Sequence, residues 1–400
     1  MKGYLFVILS LYFIKVLHAA TKKDKVIVGY YQSWLFNRFP ISKIDFNRYT
    51  HINYAFAVMI KGNTPVWSDP ASIEAQLPQL VSAAHKKNVK VLTSIGGWTG
   101  SLTFSTMAKK ASSRKEFIHW CIQHMKKFKL DGIDIDWEYP GRQGAGCNTF
   151  DEKNDVKNFL TLLEELHQAI RREFKEKKEI TIAAFVNPLK EDVSRFAKVL
   201  DRVNVMTYDI NGAWNAQTGP NAPLVAPQGQ ISFSSSIESW IKAGMPPHQL
   251  TGGLAFYGRS TTAKVNMLKT KSLYQDQVQG TIPQGDQDDT FSQDPYCSKD
   301  PGGLSGTWQY SHLLSQQVLK TAQKAKKPWV RTWDEATSTP WLFNPKTNIF
   351  ISYDDPKSIA KKACYAYKKD LAGLMVWAIN QDTDQHDLLK AAYKVKTGKC

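Results

Sequence analysis

Short runs of β-branched and aromatic residues alternate along this chain with longer segments that repeat apolar residues every three or four positions, the pattern of successive β-α units. The predicted strands are 25–31 (KVIVGYY), 50–58 (THINYAFAV), 89–97 (VKVLTSIGG), 132–138 (GIDIDWE), 179–185 (EITIAAF), 202–208 (RVNVMTY), 250–258 (LTGGLAFYG) and 372–379 (AGLMVWAI). Between them, segments such as SIEAQLPQLVSAAHKKN, SSRKEFIHWCIQHMKKF, DVKNFLTLLEELHQAIRREFKEK and PKSIAKKACYAYKK predict helices. Eight strands with interposed helices predict an α/β fold, a (β/α)8 TIM barrel.

One interval breaks the rhythm, between the seventh strand and the helix before the eighth. It opens with the turn-rich GTIPQGDQDDTFSQDPYCSKDPGGLSG and ends in the aromatic, strand-like KPWVRTWDEATSTPWLFNPKTNIFISYDD. A structureless loop of that length is rare inside a compact domain, so a small α+β lobe is expected at residues 261–345, inserted between strand 7 and strand 8. The barrel then comprises residues 21–260 and 346–400. The first twenty residues, with Lys2, an apolar run from Tyr4 to Ile14 and the small pair Ala19 and Ala20, read as a cleaved secretory signal. No other stretch is apolar enough for a membrane span, so a secreted protein without one is expected.

The fourth strand carries the unusual chemistry. In DGIDIDWEYP, alternation puts Asp134, Asp136 and Glu138 on one face and Ile133, Ile135 and Trp137 on the other, with Asp131 out of phase. In a closed parallel barrel the apolar face packs on helices, the acids line the interior, and Glu138 reaches the C-terminal rim, where active sites of this fold sit. Consecutive acids on such a face stand roughly 6.6–6.8 Å apart. Like charges that close predict a proton shared between Asp134 and Asp136 and a raised pKa for Glu138, suited to a general acid. Spacing alone leaves Asp136 open as a direct nucleophile, and an acidic strand end or a cation site open as non-catalytic alternatives. No calcium-loop geometry supports the last, since DQDDTFSQDPYC and NQDTDQHD lack the required glycine.

The formal charge of +16 raises the question of nucleic acid, but Lys and Arg are scattered in ones and twos over helical segments (KKFK, RREFKEKKE, KTAQKAKK). Solvated helix faces account for them, and no nucleic-acid partner is expected. The five cysteines (Cys121, Cys147, Cys297, Cys364, Cys400) lack metal-site spacing, and a secreted chain permits disulfides with at least one thiol left over. Their pairing is not legible. Ser112–Lys115 and Lys396–Gly398 match fragments of a serine-acylase signature without its middle element, and GRQGAG has the wrong spacing for a dinucleotide loop.

DGIDIDWEYP resembles the D-x-x-D-x-D-x-E signature of glycoside hydrolase family 18, the chitinases and their relatives. SIGGW (94–98), MTYD (206–209), GLAFYGR (253–259) and GLMVWAI (373–379) resemble the family's motifs on strands 3, 6, 7 and 8. The likeness spans residues 26–395, and the insertion lies where many members carry an α+β chitinase insertion domain. It implies a chitinase cleaving β-1,4 links between N-acetylglucosamine units with retention, without metal or cofactor. By the same likeness Glu138 protonates the glycosidic oxygen and Asp136 turns between Asp134 and the substrate acetamide. Tyr208 donates to the acetamide carbonyl, which is itself the nucleophile. Trp377 would floor the catalytic subsite, and Tyr31, Phe56, Met206 and Met375 would shape the pocket. Trp98 and Trp214 would be outer platforms, and Asp209, Tyr257 and Arg259 would supply hydrogen bonds. Ser94 would support the buried aspartates. The expected partners are chitin and chitooligosaccharides, bound by a monomer. Alternatives on the same scaffold are an endo-β-N-acetylglucosaminidase and a non-catalytic chitin-binding lectin.

Overall fold

The structure is a computed structural model that describes residues 24–227 and 229–400. The expected secretory leader lies outside the described residues. In chain order the strands are β1 (Val26–Gln32), β2 (His51–Ala57), β3 (Lys90–Gly96), β4 (Gly132–Asp136), β5 (Glu179–Ala184), β6 (Arg202–Val205) and β7 (Leu250–Ala255). After them come β8 (Tyr257–Thr262), β9 (Thr307–Gln309), β10 (Leu319–Thr321), β11 (Lys324–Ala325), β12 (Val330–Asp334), β13 (Thr339–Asn344), β14 (Ile349–Ser352) and β15 (Gly373–Trp377). Strands β1 to β7 and β15 close into a parallel barrel in sequence order, with β15 between β7 and β1. The expected TIM barrel is therefore the fold.

The barrel is held by the outer face of each strand. Ile27, Ile52, Val91, Ile133, Ile182 and Val376 are fully or almost fully buried against the surrounding helices. Those helices are cut by local signals: Asp69 caps the one over Pro70–His85, Ser232 and Ser235 form a reciprocal capping box at Phe233–Lys242, and Asp355 with Ser358 does the same at Pro356–Lys368. At the end of the barrel where the strands begin, Glu179 closes the interior with charges, accepting from Arg202 Nη1 at 2.7 Å and facing His51 Nε2 at 3.2 Å. Burial beside Arg202 drives the pKa of His51 down to about 4, so its ring is neutral near pH 7.

The inserted lobe is larger than expected. The run Leu250 to Gly258 breaks after Ala255, and Tyr257–Thr262 belongs to a different, antiparallel sheet with the order β12-β13-β14-β8-β9. The lobe thus takes in residues 257–352, against the expected 261–345. No turn residue stands at the break itself, Ala255-Phe256-Tyr257, so the sequence gives no sign that the chain leaves one sheet for another there. Two disulfides, Cys147–Cys297 and Cys364–Cys400, link residues 150 and 36 positions apart, and Cys121 is free and buried. Among the described residues no helix is long and apolar enough to cross a membrane.

Candidate active site

The period-two alternation on β4 holds in three dimensions. Trp137 points outward, stacked on Phe104 with ring centres 5.3 Å apart, while Asp134 and Asp136 point inward. Parallel pairing sets Ser94 beside Asp134 and Gly96 beside Asp136. Gly96 has φ +116°, and a Cβ there would lie 2.1 Å from the Asp136 carbonyl oxygen, so this close approach of β3 and β4 requires glycine.

Asp134 is held from all sides. Its carboxylate accepts from Tyr30 Oη (2.7 Å), Ser94 Oγ (2.7 Å), Asn204 Nδ2 (3.2 Å) and Thr181 Oγ1. Burial raises its pKa, and the donors from Thr181, Tyr30 and Ser94 oppose the rise. Asp136 is different: its Oδ1 is buried without a protein hydrogen-bond partner. Burial, then the charges of Glu138 and Asp134, raise its pKa well above the carboxylate range. Asp136 Oδ1 thus keeps an acceptor capacity that no protein donor fills.

Glu138 stands just past β4 at the mouth, 9 % exposed. Its N–H donates to Ser101 Oγ at 3.1 Å, and its carbonyl accepts from Asn148 Nδ2 at 3.0 Å. Its pKa is pushed up to about 7, first by burial; a hydrogen bond with Tyr139 opposes this, and Asp209 adds to it. The expected repulsion of Asp134 on Asp136 is present, and that of Glu138 ranks above it. Asp134 has its own neutral donors, the larger repulsion joins Asp136 to Glu138, and desolvation outweighs neighbouring charge in raising Glu138.

Around these acids the structure gathers most of the expected residues. Tyr208 lies beyond β6 in a loop, its hydroxyl 3.7 Å from Met375 Sδ and its ring edge-on to Tyr257. Burial raises its pKa well above 10, so the hydroxyl stays a donor. Met375 is buried in the interior, and Met206 packs against the same cluster. Trp377 ends β15, stacked on Phe56 at 5.6 Å and 16°. Asp209, with φ 53°, ends the extended chain and takes a two-pronged ion pair from Arg259 of β8, at 2.8 and 2.9 Å. Arg259 also lies over the rings of Tyr257 (5.3 Å) and Trp214 (5.6 Å). Trp98 and Trp214 are 53 % and 56 % exposed at the rim. Tyr257 and Arg259 come from the inserted lobe, which thereby forms part of the wall.

Tyr31 is misplaced in the expected set. It faces outward, its hydroxyl donating to the Phe39 carbonyl at 2.8 Å and its ring stacked on Tyr54, while its neighbour Tyr30 takes the interior. Both faces of a parallel barrel strand are apolar, so the pattern VIVGYYQ does not say which tyrosine turns in. Trp34 was also missed: it is 57 % exposed and stacks on Phe56 at 6.2 Å, extending the Trp377–Phe56 platform to the surface. An exposed tryptophan directly after a barrel strand was the available signal. Beside Tyr139 lies a cavity of about 400 Å³ whose lining includes Arg142, Phe150 and Phe185, with Arg142 3.8 Å above the Phe185 ring. Among the described residues no cluster of His, Cys, Asp and Glu is arranged to hold a metal ion.

This arrangement, a buried carboxyl with its pKa raised to about 7 beside one with an unpartnered oxygen, can donate a proton to a glycosidic oxygen and orient a polar substituent. Comparisons with known proteins agree. A protein of Moniliophthora roreri named a chitinase-like effector is 37% identical over 394 residues, covering 92% of each chain. The probable chitinase 2 of Drosophila melanogaster is 31% identical, covering 90% of this chain and 72% of that one. A solved chitinase of Rhizomucor miehei superposes with a TM-score of 0.84 at 30% identity, covering 93% of this chain and all of that one. A solved family 18 chitinase of Cycas revoluta, in complex with (GlcNAc)4, gives 0.75 at 27% identity, with 92% and 99% coverage. The sequence model for glycosyl hydrolases family 18 matches residues 26–382, and with barrel, acid row and relatives in agreement, the chain belongs to glycoside hydrolase family 18.

Proposed function

We propose that this protein hydrolyses β-1,4 links between N-acetylglucosamine units of chitin and chitooligosaccharides with retention, the substrate's own acetamide acting as nucleophile. The observation that carries the reading is Glu138, buried at the barrel mouth with its pKa raised to about 7, beside an Asp136 whose Oδ1 lacks a partner.

Glu138 gives its proton to the glycosidic oxygen as the bond to the anomeric carbon breaks. The acetamide carbonyl oxygen forms the new bond to that carbon, generating a cyclic oxazolinium ion. Asp136 accepts from the acetamide N–H and stabilises the developing positive charge. Tyr208 donates to the carbonyl oxygen and aligns it for attack. Asp134, fixed by Tyr30, Ser94, Thr181 and Asn204, is the partner that keeps the proton between them as Asp136 turns away as the carboxylate. Water, deprotonated by the Glu138 carboxylate, then opens the ring from the face the leaving sugar left, which restores the original anomeric configuration. Trp377 offers its flat face to the apolar C–H side of the reacting sugar.

The test is Glu138→Gln: turnover of chitooligosaccharides is expected to fall by roughly 10²- to 10⁴-fold while binding is kept. Full activity in that variant overturns the assignment. A binding-only role is the second reading, kept because two relatives carry the name chitinase-like effector; the complete set Asp134, Asp136, Glu138 and Tyr208 favours hydrolysis. Colloidal chitin releasing soluble sugars, with N-glycoproteins untouched, separates chitinase from endo-β-N-acetylglucosaminidase. The N-terminal apolar run and two disulfides support secretion into an oxidising compartment.

A further inference from the structure

Lys and Arg are scattered along the sequence, but the topology gathers many of them at one end of the molecule. In a parallel barrel each helix hands the chain back to the end where the next strand begins, opposite the mouth that holds Glu138. Three successive connections arrive there rich in cations: KKNVK (86–90) entering β3, KKFK (126–129) ahead of β4, and RREFKEKK (171–178) ahead of β5. They touch one another in barrel order. His85 Nε2 meets Asp131 at 2.8 Å between the first and the second, and Lys126 Nζ meets Glu173 at 2.6 Å between the second and the third. Lys177 Nζ then meets Asp201, ahead of β6, at 2.6 Å.

The acids of these connections are already taken. Asp131, Glu173 and Asp201 have the partners just named, Glu176 pairs with Lys178 at 3.1 Å, and Glu179 is held by Arg202 and His51. Left over among the described residues are Lys86, Lys87, Lys129, Arg171, Arg172 and Lys175, all exposed and none in an ion pair. A cation in the last turn complements the helix dipole, which accounts for one or two charges per helix. It does not account for Lys87 and Lys175, which lie beyond the caps Lys86 and Phe174. Nor does it explain a lysine at the left-handed end of the helix Ala111–Phe128, where Lys129 has φ 54° and glycine or asparagine would sit without strain. Packed helices stand 8–10 Å apart, so the three connections make a band about 20 Å long in which neighbouring cations are about one Debye length apart. Such charges repel one another in the free protein and act together on a polyanion.

The rest of the face selects among polyanions. Nucleic-acid strands gain from aromatic stacking platforms, and membranes from inserted apolar side chains. This band offers neither: the exposed large hydrophobic residues, among them Trp34, Trp98, Trp214 and Phe291, lie elsewhere, and the Phe174 ring is covered by Lys126 at 6.0 Å and Lys178 at 5.5 Å. Cations on polar ground fit a carboxylated polysaccharide, whose carboxylates accept from Lys and Arg without stacking or insertion. We propose that this strand-entry end docks on an acidic polysaccharide, a polyuronate chain, and holds the protein with its barrel mouth turned away from the polymer it rests on. The inference does not depend on the hydrolase reading, because the docking band and the acid row lie at opposite ends of the barrel.

The experiment follows binding of a fluorescent polygalacturonate oligomer by anisotropy, at low and at physiological salt. The variant Lys129→Gln/Arg171→Gln/Arg172→Gln/Lys175→Gln is expected to bind at least about tenfold more weakly and with a flatter salt dependence. Lys320→Gln/Lys324→Gln/Lys326→Gln/Lys346→Gln removes the same charge from the inserted lobe and is expected to stay within about twofold of the wild type. Lys129→Arg/Lys175→Arg keeps the charge and is expected to bind as the wild type does. Equal losses in the two glutamine variants would mean that overall charge alone attracts the polymer, and would overturn the docking band. DNA of equal charge, or vesicles of phosphatidylcholine and phosphatidylserine in equal parts, bound as tightly as the polyuronate would overturn the choice of partner. Displacement of the protein from polygalacturonate by an N-acetylglucosamine tetramer would put the polymer in the mouth and overturn the placement, whether or not the protein hydrolyses chitin.

Discussion

Glu138 has a pKa raised from 4.5 to about 7 in the folded protein, chiefly by burial, and this sets the pH dependence of two measurements. As a proton donor it must be protonated, so the basic limb of kcat/KM is set by this rise. A carboxyl at about 7 is protonated in about nine-tenths of molecules at pH 6 and about one-tenth at pH 8, whereas one at 4.5 would be only about 3% protonated at pH 6. Stability has the same sign: a group that holds its proton more tightly when folded contributes fully below its unfolded value near 4.5, and the contribution is lost as pH rises through about 7. The full rise corresponds to roughly 3 kcal/mol between the two protonation states. Glu138→Gln cannot ionise, so it should be more stable than the wild type at pH 8, by up to that amount and a few degrees in melting temperature, and equal to it at pH 4.5. The assays are the pH dependence of hydrolysis of a chromogenic chitobioside and thermal melts of both proteins at the two pH values. Because Glu138 and Asp136 repel each other, the limb belongs to the pair. A basic limb centred below pH 5.5, or a Gln variant no more stable than the wild type at pH 8, would show that desolvation does not set the proton at this site.

Three further outcomes follow from particular contacts. Lys362→Met leaves Asp354, its partner at 2.6 Å in a fully buried pair, without a counter-charge, and should lower stability by about 3–5 kcal/mol in urea titration, with much of the loss recovered by adding Asp354→Leu. Ser94→Ala removes one of four donors to Asp134 and should destabilise by about 1–3 kcal/mol; since Asp134 is where Asp136 is expected to turn from, kcat should fall while KM for the chitobioside stays within a factor of a few. Trp34→Ala deletes an exposed platform stacked on Phe56 and should weaken hexasaccharide binding by about 1 kcal/mol in calorimetry while leaving the chitobioside KM unchanged.

The barrel and the acid row were legible because each is written locally. Period-two alternation around Asp134, Asp136 and Glu138 puts acids and Ile/Ile/Trp on opposite faces whatever surrounds the strand, and eight apolar runs separated by amphipathic helices have few other ways to close. Local pattern stops at questions of face, sheet and distance. It does not choose between Tyr30 and Tyr31, because β1 is apolar on both sides and only closure against β15 and β2 turns Tyr30 toward Asp134. It does not say that the run ending at Gly258 leaves the barrel at Ala255, since the break is made by pairing with β14, at Ile349–Ser352 far along the chain. Nor does it pair Cys147 with Cys297 across 150 residues, or show that burial, more than neighbouring charge, keeps the proton on Glu138. The residue types and their order along a strand are properties of the chain. The dielectric around a carboxyl, and the partner across a cleft, exist only once distant segments have packed together.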